Sequence, residues 1–67
     1  MIFANILKEL REEKELSQLK LSIQTGIPKS TLARWELAQS EPKVSEIIIL
    51  AKFFDVTAGQ LLGTEEY

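Results

Sequence analysis

The stretch GIPKSTLARWE, residues 26–36, places four side chains that suit one kind of chemistry on a single short segment. Lys29 and Arg34 are cations, while Ser30 and Thr31 carry hydroxyls. Together they suit phosphate oxygens and the edges of nucleic-acid bases. The whole chain, however, has a formal net charge of −2, so a polyanion should repel it. The residues around this stretch must therefore decide whether it forms a binding surface.

The charges are distributed unevenly along the 67 residues. Between positions 17 and 44, four basic residues stand against two acidic ones, which gives a local net charge of +2. The remainder has four basic and eight acidic residues, a net charge of −4. The middle of the chain can thus approach nucleic acid, although a net charge of +2 attracts it only weakly.

Composition and length argue against several classes of protein. Without Cys or His the chain has neither a disulfide framework nor the commonest metal ligand and general base. Asp55 is the single Asp, so we expect no enzyme, no metal site and no cofactor. Hydrophobic residues make up 45% and charged residues 27%, which indicates one folded domain over residues 1–67.

No segment of the sequence indicates export or membrane insertion. The start, MIFANILKEL, has neither a basic region nor a cleavage site typical of a signal peptide. The longest aliphatic run, residues 47–51, is far shorter than the roughly 20 residues of a membrane-spanning helix. We therefore expect a cytoplasmic protein with no membrane partner.

Apolar spacing and capping residues predict five short helices. The first ends near Lys14. The second and third cover 18–25 and 28–37, with Ser17 as the N-cap of the second. The fourth begins at Val44 and ends at positions 53–55, and a capping box of Thr57 and Gln60 starts the fifth. The tight turn at Gly26 makes positions 17–37 a helix-turn-helix. The fold class is therefore all-α, a compact five-helix bundle.

The ordered set of short motifs resembles a known family. LKELREEKELSQ, the Gly26 turn, STLARWE, the break at Pro42, LAKFFDV and QLLG follow one another at matching spacing from Phe3 to Gly63. In this order they resemble the Cro/C1-type, or XRE-like, helix-turn-helix family of phage repressors and bacterial regulators. The resemblance implies a lambda-repressor-like DNA-binding domain. It further implies a transcriptional regulator, specifically a repressor, that binds a two-fold symmetric operator in double-stranded DNA as a homodimer, bacterial or phage-encoded and associated with the nucleoid.

The same resemblance assigns roles to individual positions. The third helix should enter the major groove and read bases. The residues implied for base reading are Pro28, Lys29, Ser30, Thr31 and Arg34. Those implied for phosphate contact are Ser17, Gln18, Gln39, Ser40 and Lys43. An ion pair between Arg11 and Glu36 should join the first helix to the end of the third, as a structural and not a catalytic feature.

Simpler interpretations exist for most of these side chains. Gln18 could be an ordinary polar residue of a first helical turn, and Lys29 and Arg34 could be solvated surface charges. Ser30 and Thr31 could bond to the backbone N–H groups of their own helix.

The sequence also departs from the family. Its loop at positions 37–41 lacks the usual basic residues and glycine, and Glu41 would be unfavourable near a phosphate. Glu15 stands where a turn glycine is usual, which costs roughly 1 kcal/mol in the left-handed conformation.

A second class of function fits some of the same features. The acidic ends, Glu41, and the exposed positions expected for Leu19 and Leu37 suit a protein-interaction module of the same fold, such as an antirepressor or an antitoxin. For either function the C-terminal part has more apolar residues than so small a core needs. We therefore expect dimerisation through Phe53, Phe54, Val56, Leu61 and Leu62.

Overall fold

Helices form every regular element of residues 2–66, which are the residues that the computed structural model describes. The helices are α1 (Ile2–Glu13), α2 (Gln18–Thr25), α3 (Lys29–Glu36), α4 (Val44–Phe54) and α5 (Ala58–Leu62). The predicted all-α class with five helices is confirmed. Across these residues no helix is both long and apolar enough to cross a membrane.

The α1–α2 connection is short because one residue adopts the left-handed conformation. Glu15 has φ of 55°, and the N–H of Leu16 then donates to the carbonyl of Arg11 at 3.1 Å. The helix therefore ends at Glu13, one residue before the predicted end at Lys14. Glu15 takes the conformation that a glycine would adopt without strain.

The boundaries of α3 differ slightly from those predicted. Pro28 is the N-cap and not the first helical residue, because its ψ of 140° is extended. Its carbonyl accepts hydrogen bonds from the N–H groups of Thr31 and Leu32 at 3.0 and 3.1 Å. At the other end Leu37 is the C-cap, so the helix is one residue shorter than predicted at each end.

The two C-terminal helices begin and end at recognisable caps. Asp55, placed inside the fourth helix by the sequence, is instead its left-handed C-cap with φ of 56°. Thr57 and Gln60 form the predicted capping box, which is confirmed. The N–H of Gln60 donates to Thr57 Oγ1 at 3.0 Å, and the N–H of Thr57 donates to Gln60 Oε1 at 2.9 Å.

One apolar core joins the five helices. Its largest member is Trp35 of α3, whose ring meets that of Phe3 edge-on with centroids 5.9 Å apart. The helix α1 packs against both α3 and α5. Near its start Ile2 lies so close to Gly63 that a Cβ on that glycine would collide with it. The buried apolar cluster is Phe3, Leu7, Leu10, Leu21, Ile27, Leu32, Trp35, Leu50, Phe54 and Leu61.

The expected surplus of apolar residues at the C-terminal end is wrong in its details. Phe54 and Leu61 are buried, and Phe53 and Val56 pack against the core. These four side chains fill the interior, and of the five named residues only Leu62 is exposed. The large apolar side chains that α4 does expose are Val44, Ile48 and Ile49.

Candidate nucleic-acid interface

The turn before α3 is held by several backbone and side-chain hydrogen bonds. Gly26 has φ of 78°, and its N–H donates to the carbonyl of Ser22. A Cβ at this position would meet no atom within 4 Å, so the turn requires glycine for its dihedral angles and not for space. Thr25 Oγ1 donates to the carbonyl of Leu21 at 2.7 Å, and the buried Ile27 follows directly. This turn therefore fixes the direction in which α3 leaves α2.

The helix α3 has one buried and one exposed face. Leu32 and Trp35, exposed by 0% and 1%, anchor it to the core. On the outside, Lys29, Ser30 and Arg34 are exposed, as is Pro28 at the N-cap, and Thr31 is half-buried. The structure thus brings all five residues implied for base reading to the exposed part of one helix and its N-cap.

The side chains of this face have no partners within residues 2–66. No hydrogen bond or ion pair engages the ammonium of Lys29, the guanidinium of Arg34 or the hydroxyls of Ser30 and Thr31. The alternative in which the two hydroxyls bond first-turn N–H groups is therefore wrong. Four donor groups remain available to an external acceptor.

The N-terminus of α2 is capped and tied to α3. Ser17 Oγ accepts from the N–H of Lys20 at 3.0 Å, which is a standard N-cap contact. Gln18 is half-buried, and its Nε2 donates to Glu36 Oε1 at 3.2 Å. Gln18 is therefore more than a polar first-turn residue, because it links two helices.

The expected contact between Arg11 and Glu36 is a bidentate ion pair. Nε donates to Oε2 at 2.7 Å and Nη2 donates to Oε1 at 3.0 Å. The side chains are 13% and 5% exposed, so solvent screens the pair little. The hydrogen bond to Glu36 is the main reason that the pKa of Arg11 is raised above its ordinary value, while burial opposes the shift.

Arg11 makes a third contact, which no sequence motif indicates. Its Nη1 donates to the backbone carbonyl of Leu16 at 2.7 Å. One guanidinium thus holds the end of α3 through Glu36 and the residue preceding the α2 N-cap through Leu16. No pattern of side chains marks a backbone carbonyl as an acceptor, so sequence reasoning could not find this contact.

Most side chains of the loop after α3 are exposed. Ala38 is left-handed with φ of 59°, where the family's loop glycine is missing. Gln39 is exposed and Ser40 is half-buried. Lys43 is also exposed, and its backbone N–H donates to Glu46 Oε1 at 2.7 Å. The residues implied for phosphate contact therefore lie on two segments, the start of α2 and the connection from α3 to α4.

Two grooves on the described residues lie away from α3. One groove, of about 440 Å³, lies between the start of α1 and the beginning of α4. Another, of about 360 Å³, lies between the end of α2 and α4. Neither is lined by a residue of α3. An exposed helix with free donors fits an elongated partner that presents acceptors in a groove of its own.

The fold and this exposed helix define the class of protein, a DNA-binding helix-turn-helix domain. A family model described as "Helix-turn-helix" matches residues 7–61. The chain belongs to the Cro/C1-type helix-turn-helix family.

Three curated relatives are similar to nearly the whole chain. The HTH-type transcriptional activator BcrR of Enterococcus faecalis is 33% identical over 98% of this chain. The HTH-type transcriptional regulator AnsR of Bacillus subtilis is 38% identical over 90% of it. The cryptic phage CTXphi transcriptional repressor RstR of Vibrio cholerae is 29% identical over 97%. The chain spans 32%, 52% and 59%, respectively, of these relatives' own lengths. No solved structure matches the chain significantly.

Proposed function

We propose that this chain regulates transcription by binding a two-fold symmetric DNA operator as a homodimer, with α3 in the major groove. The observation that carries the proposal is the set of unpartnered donors on α3. Lys29, Ser30, Thr31 and Arg34 face outward from a helix that Leu32 and Trp35 fix from behind. A rigid helix with free donors can read base edges because it need not reorganise on binding.

Each residue of the exposed face has a role suited to its chemistry. Lys29 and Arg34 donate to guanine O6 and N7, which are the commonest targets of basic side chains. Ser30 and Thr31 can bond to either purines or phosphates. Pro28 has no N–H, and as the exposed N-cap it offers an apolar contact to a thymine methyl group.

Contacts to the DNA backbone come from two segments of the chain, one before α3 and one after it. Ser17 and Gln18 lie at the N-terminus of α2, where the partial positive charge of the helix favours a phosphate. Gln39, Ser40 and Lys43 supply the second group. Lys43 is its only cation, and Glu41 in the same loop opposes binding, so the contribution of the loop is small.

A homodimer supplies the affinity that a single domain lacks. Two domains binding half-sites about 34–36 Å apart double the number of contacts. The exposed apolar side chains of the second half of the chain, Val44, Ile48, Ile49 and Leu62, are candidates for the contact between protomers. Sedimentation should show a dimer on operator DNA, and a Val44→Ser, Ile48→Ser double variant should bind as a monomer with lower affinity. A wild-type chain that stays monomeric on DNA would contradict the dimer.

Repression is the simpler regulatory outcome because it requires only that the protein occupy a promoter. RstR is named a repressor, whereas BcrR is named an activator, so the family model does not decide the direction. A promoter–reporter assay distinguishes the two, since a repressor lowers reporter expression. We place this activity in the cytoplasm of a bacterium, at the nucleoid. Under this proposal the gene is bacterial or phage-encoded.

Selection of bound sequences from a random DNA pool tests the proposal directly. We expect one palindromic site to be enriched. Affinity should fall as the salt concentration rises, because binding releases counterions from the DNA and added salt opposes that release. Lys29→Ala should relax the preference at one base pair of each half-site. Lys8→Ala removes an equal charge from the exposed face of α1 and is the matched control. Enrichment of no sequence at low salt would contradict the proposal.

A protein-interaction module is the second candidate function. Leu19 and Leu37 are 54% and 67% exposed, and Ile23 on the same helix as Leu19 is 73% exposed. A partner covering these side chains would bury apolar surface that DNA binding leaves in water. If this candidate is correct, Leu19→Ser with Leu37→Ser should abolish the regulatory effect in cells. DNA retention would then be weak at every salt concentration.

A further inference from the structure

One oxygen of Glu36 receives two hydrogen bonds from different helices. Oε1 accepts from Arg11 Nη2 at 3.0 Å and from Gln18 Nε2 at 3.2 Å. The other oxygen accepts from Arg11 Nε at 2.7 Å. One hydrogen-bonded group therefore joins Gln18, Glu36 and Arg11. Within it, the ion pair of Glu36 and Arg11 is shielded from solvent.

This contact fixes which way the Gln18 amide points. A carboxylate paired with a guanidinium can only accept, so it must face the nitrogen of the amide and not its oxygen. A DNA phosphate is likewise only an acceptor. The amide nitrogen carries two hydrogens, and Glu36 engages one, which leaves one directed donor for a phosphate.

The same group also fixes the backbone from which Gln18 projects. Arg11 Nη1 donates to the carbonyl of Leu16 at 2.7 Å, two residues before Gln18. The side-chain amide and the preceding backbone are therefore held by a single cluster. A free glutamine would lose torsional freedom when it meets a phosphate, and a glutamine ordered beforehand loses less.

We propose that Glu36 is a positioning residue for the phosphate contact of Gln18, in addition to its part in the ion pair. The inference rests on the proposed DNA binding, which it deepens by naming what orients one backbone contact. Lys29 lies on the same helix as Glu36 but shares no hydrogen bond with it. A structural role alone would affect both DNA contacts equally, whereas positioning affects Gln18 selectively.

A double-mutant cycle on DNA affinity tests the proposal, using full-length variants at a temperature well below their unfolding. Gln18→Ala should weaken binding about tenfold in the wild-type background, the value of a hydrogen bond to a charged group. In the Glu36→Ala background, which removes the acceptor of the Gln18 amide, the same change should weaken binding less than about twofold. Lys29→Ala is the matched control and should cost the same factor in both backgrounds. Equal losses for Gln18→Ala in the two backgrounds would overturn the proposal.

A measurement on the wild-type protein covers the case in which Glu36→Ala does not fold. Nuclear magnetic resonance relaxation reports the order of each glutamine side-chain amide. We expect the Gln18 amide to be ordered like rigid backbone, and the exposed amides of Gln24 and Gln39 to be mobile. A Gln18 amide as mobile as that of Gln24 would overturn positioning by Glu36. Failure of the wild type to bind any DNA is a different result, because it removes the proposed function itself.

Discussion

The two connections that border α3 are built in opposite ways. On the α2 side, Gly26 turns the chain without strain, Ile27 is buried, and Thr25 bonds to Leu21 and Ile27. On the α4 side, the loop carries a left-handed Ala38 and exposes most of its side chains. The direction of α3 is therefore closely determined, whereas the loop after it, the proposed site of contacts to the DNA backbone, is largely exposed.

The ion pair between Arg11 of α1 and Glu36 at the end of α3 also holds α3 in place, and breaking it should have the largest effect. Arg11→Ala or Glu36→Ala should each lower the free energy of unfolding by about 2–4 kcal/mol, because each leaves a shielded charge without its partner. Denaturant unfolding measures these losses. The double variant should lose less than the sum of the single losses. Strictly additive losses would show that the two charges do not stabilise one another.

Comparing Lys29 of α3 with Lys43 of the loop after it should separate base reading from contacts to the DNA backbone. Lys29→Ala should cost about 1–3 kcal/mol per half-site and relax the preference at one base pair. Lys43→Ala should weaken binding to all sequences equally and reduce the salt slope by about one for each half-site. Binding to a panel of operator variants at two salt concentrations distinguishes them. If Lys43→Ala changed base preference, the loop would be reading sequence and the contrast between the two sides would be lost.

Adding a positive charge to the loop after α3 should strengthen its contact with the DNA backbone. Glu41→Lys replaces a repelling carboxylate with a phosphate-binding ammonium, so affinity should rise by about 1 kcal/mol per half-site for every sequence. The salt dependence of binding should steepen at the same time. Glu9→Lys on α1 makes the same charge change outside both phosphate-contact groups and is the matched control. Equal gains from both variants would indicate a general charge effect and not a loop close to phosphate.

The smallest expected effect concerns the backbone of the same loop. Ala38→Gly should raise the free energy of unfolding by about 0.5–1 kcal/mol, because glycine adopts positive φ without steric cost. Ala33→Gly, inside α3, is the control and should destabilise by about 1 kcal/mol. Thermal unfolding of the two variants measures both effects. A destabilising Ala38→Gly would mean that the left-handed conformation carries little strain here.

The sequence predicted the fold well because its signals were local. Ser17, Gly26 and Thr57 mark helix ends through chemistry that acts within a few residues, and the structure places them at those caps. The left-handed Ala38 was missed, although the absence of the usual loop glycine pointed to that region. The surplus of apolar residues near the C-terminus was misjudged, since Phe53 and Val56 contribute to the core and only packing shows how much a core needs.

The candidate site was predicted less completely. The family resemblance named the residues of α3 expected to read bases, and the structure places Lys29, Ser30 and Arg34 at exposed positions of that helix. The bond between Gln18 and Glu36 joins residues 18 positions apart on different helices, so no periodicity reveals it. Long-range hydrogen bonds of this kind follow from tertiary packing and not from local pattern.

The packing of α1 against α5 has a consequence for the folding kinetics of this domain. Ile2 lies against Gly63, and α1 contacts α3 and α5 rather than only the neighbouring helix. About 60 residues must therefore be brought into one loop before the first helix can bury its apolar face fully, and the entropy of closing that loop precedes the gain. On a ribosome, α1 could therefore bury its whole apolar face only after α5 had emerged.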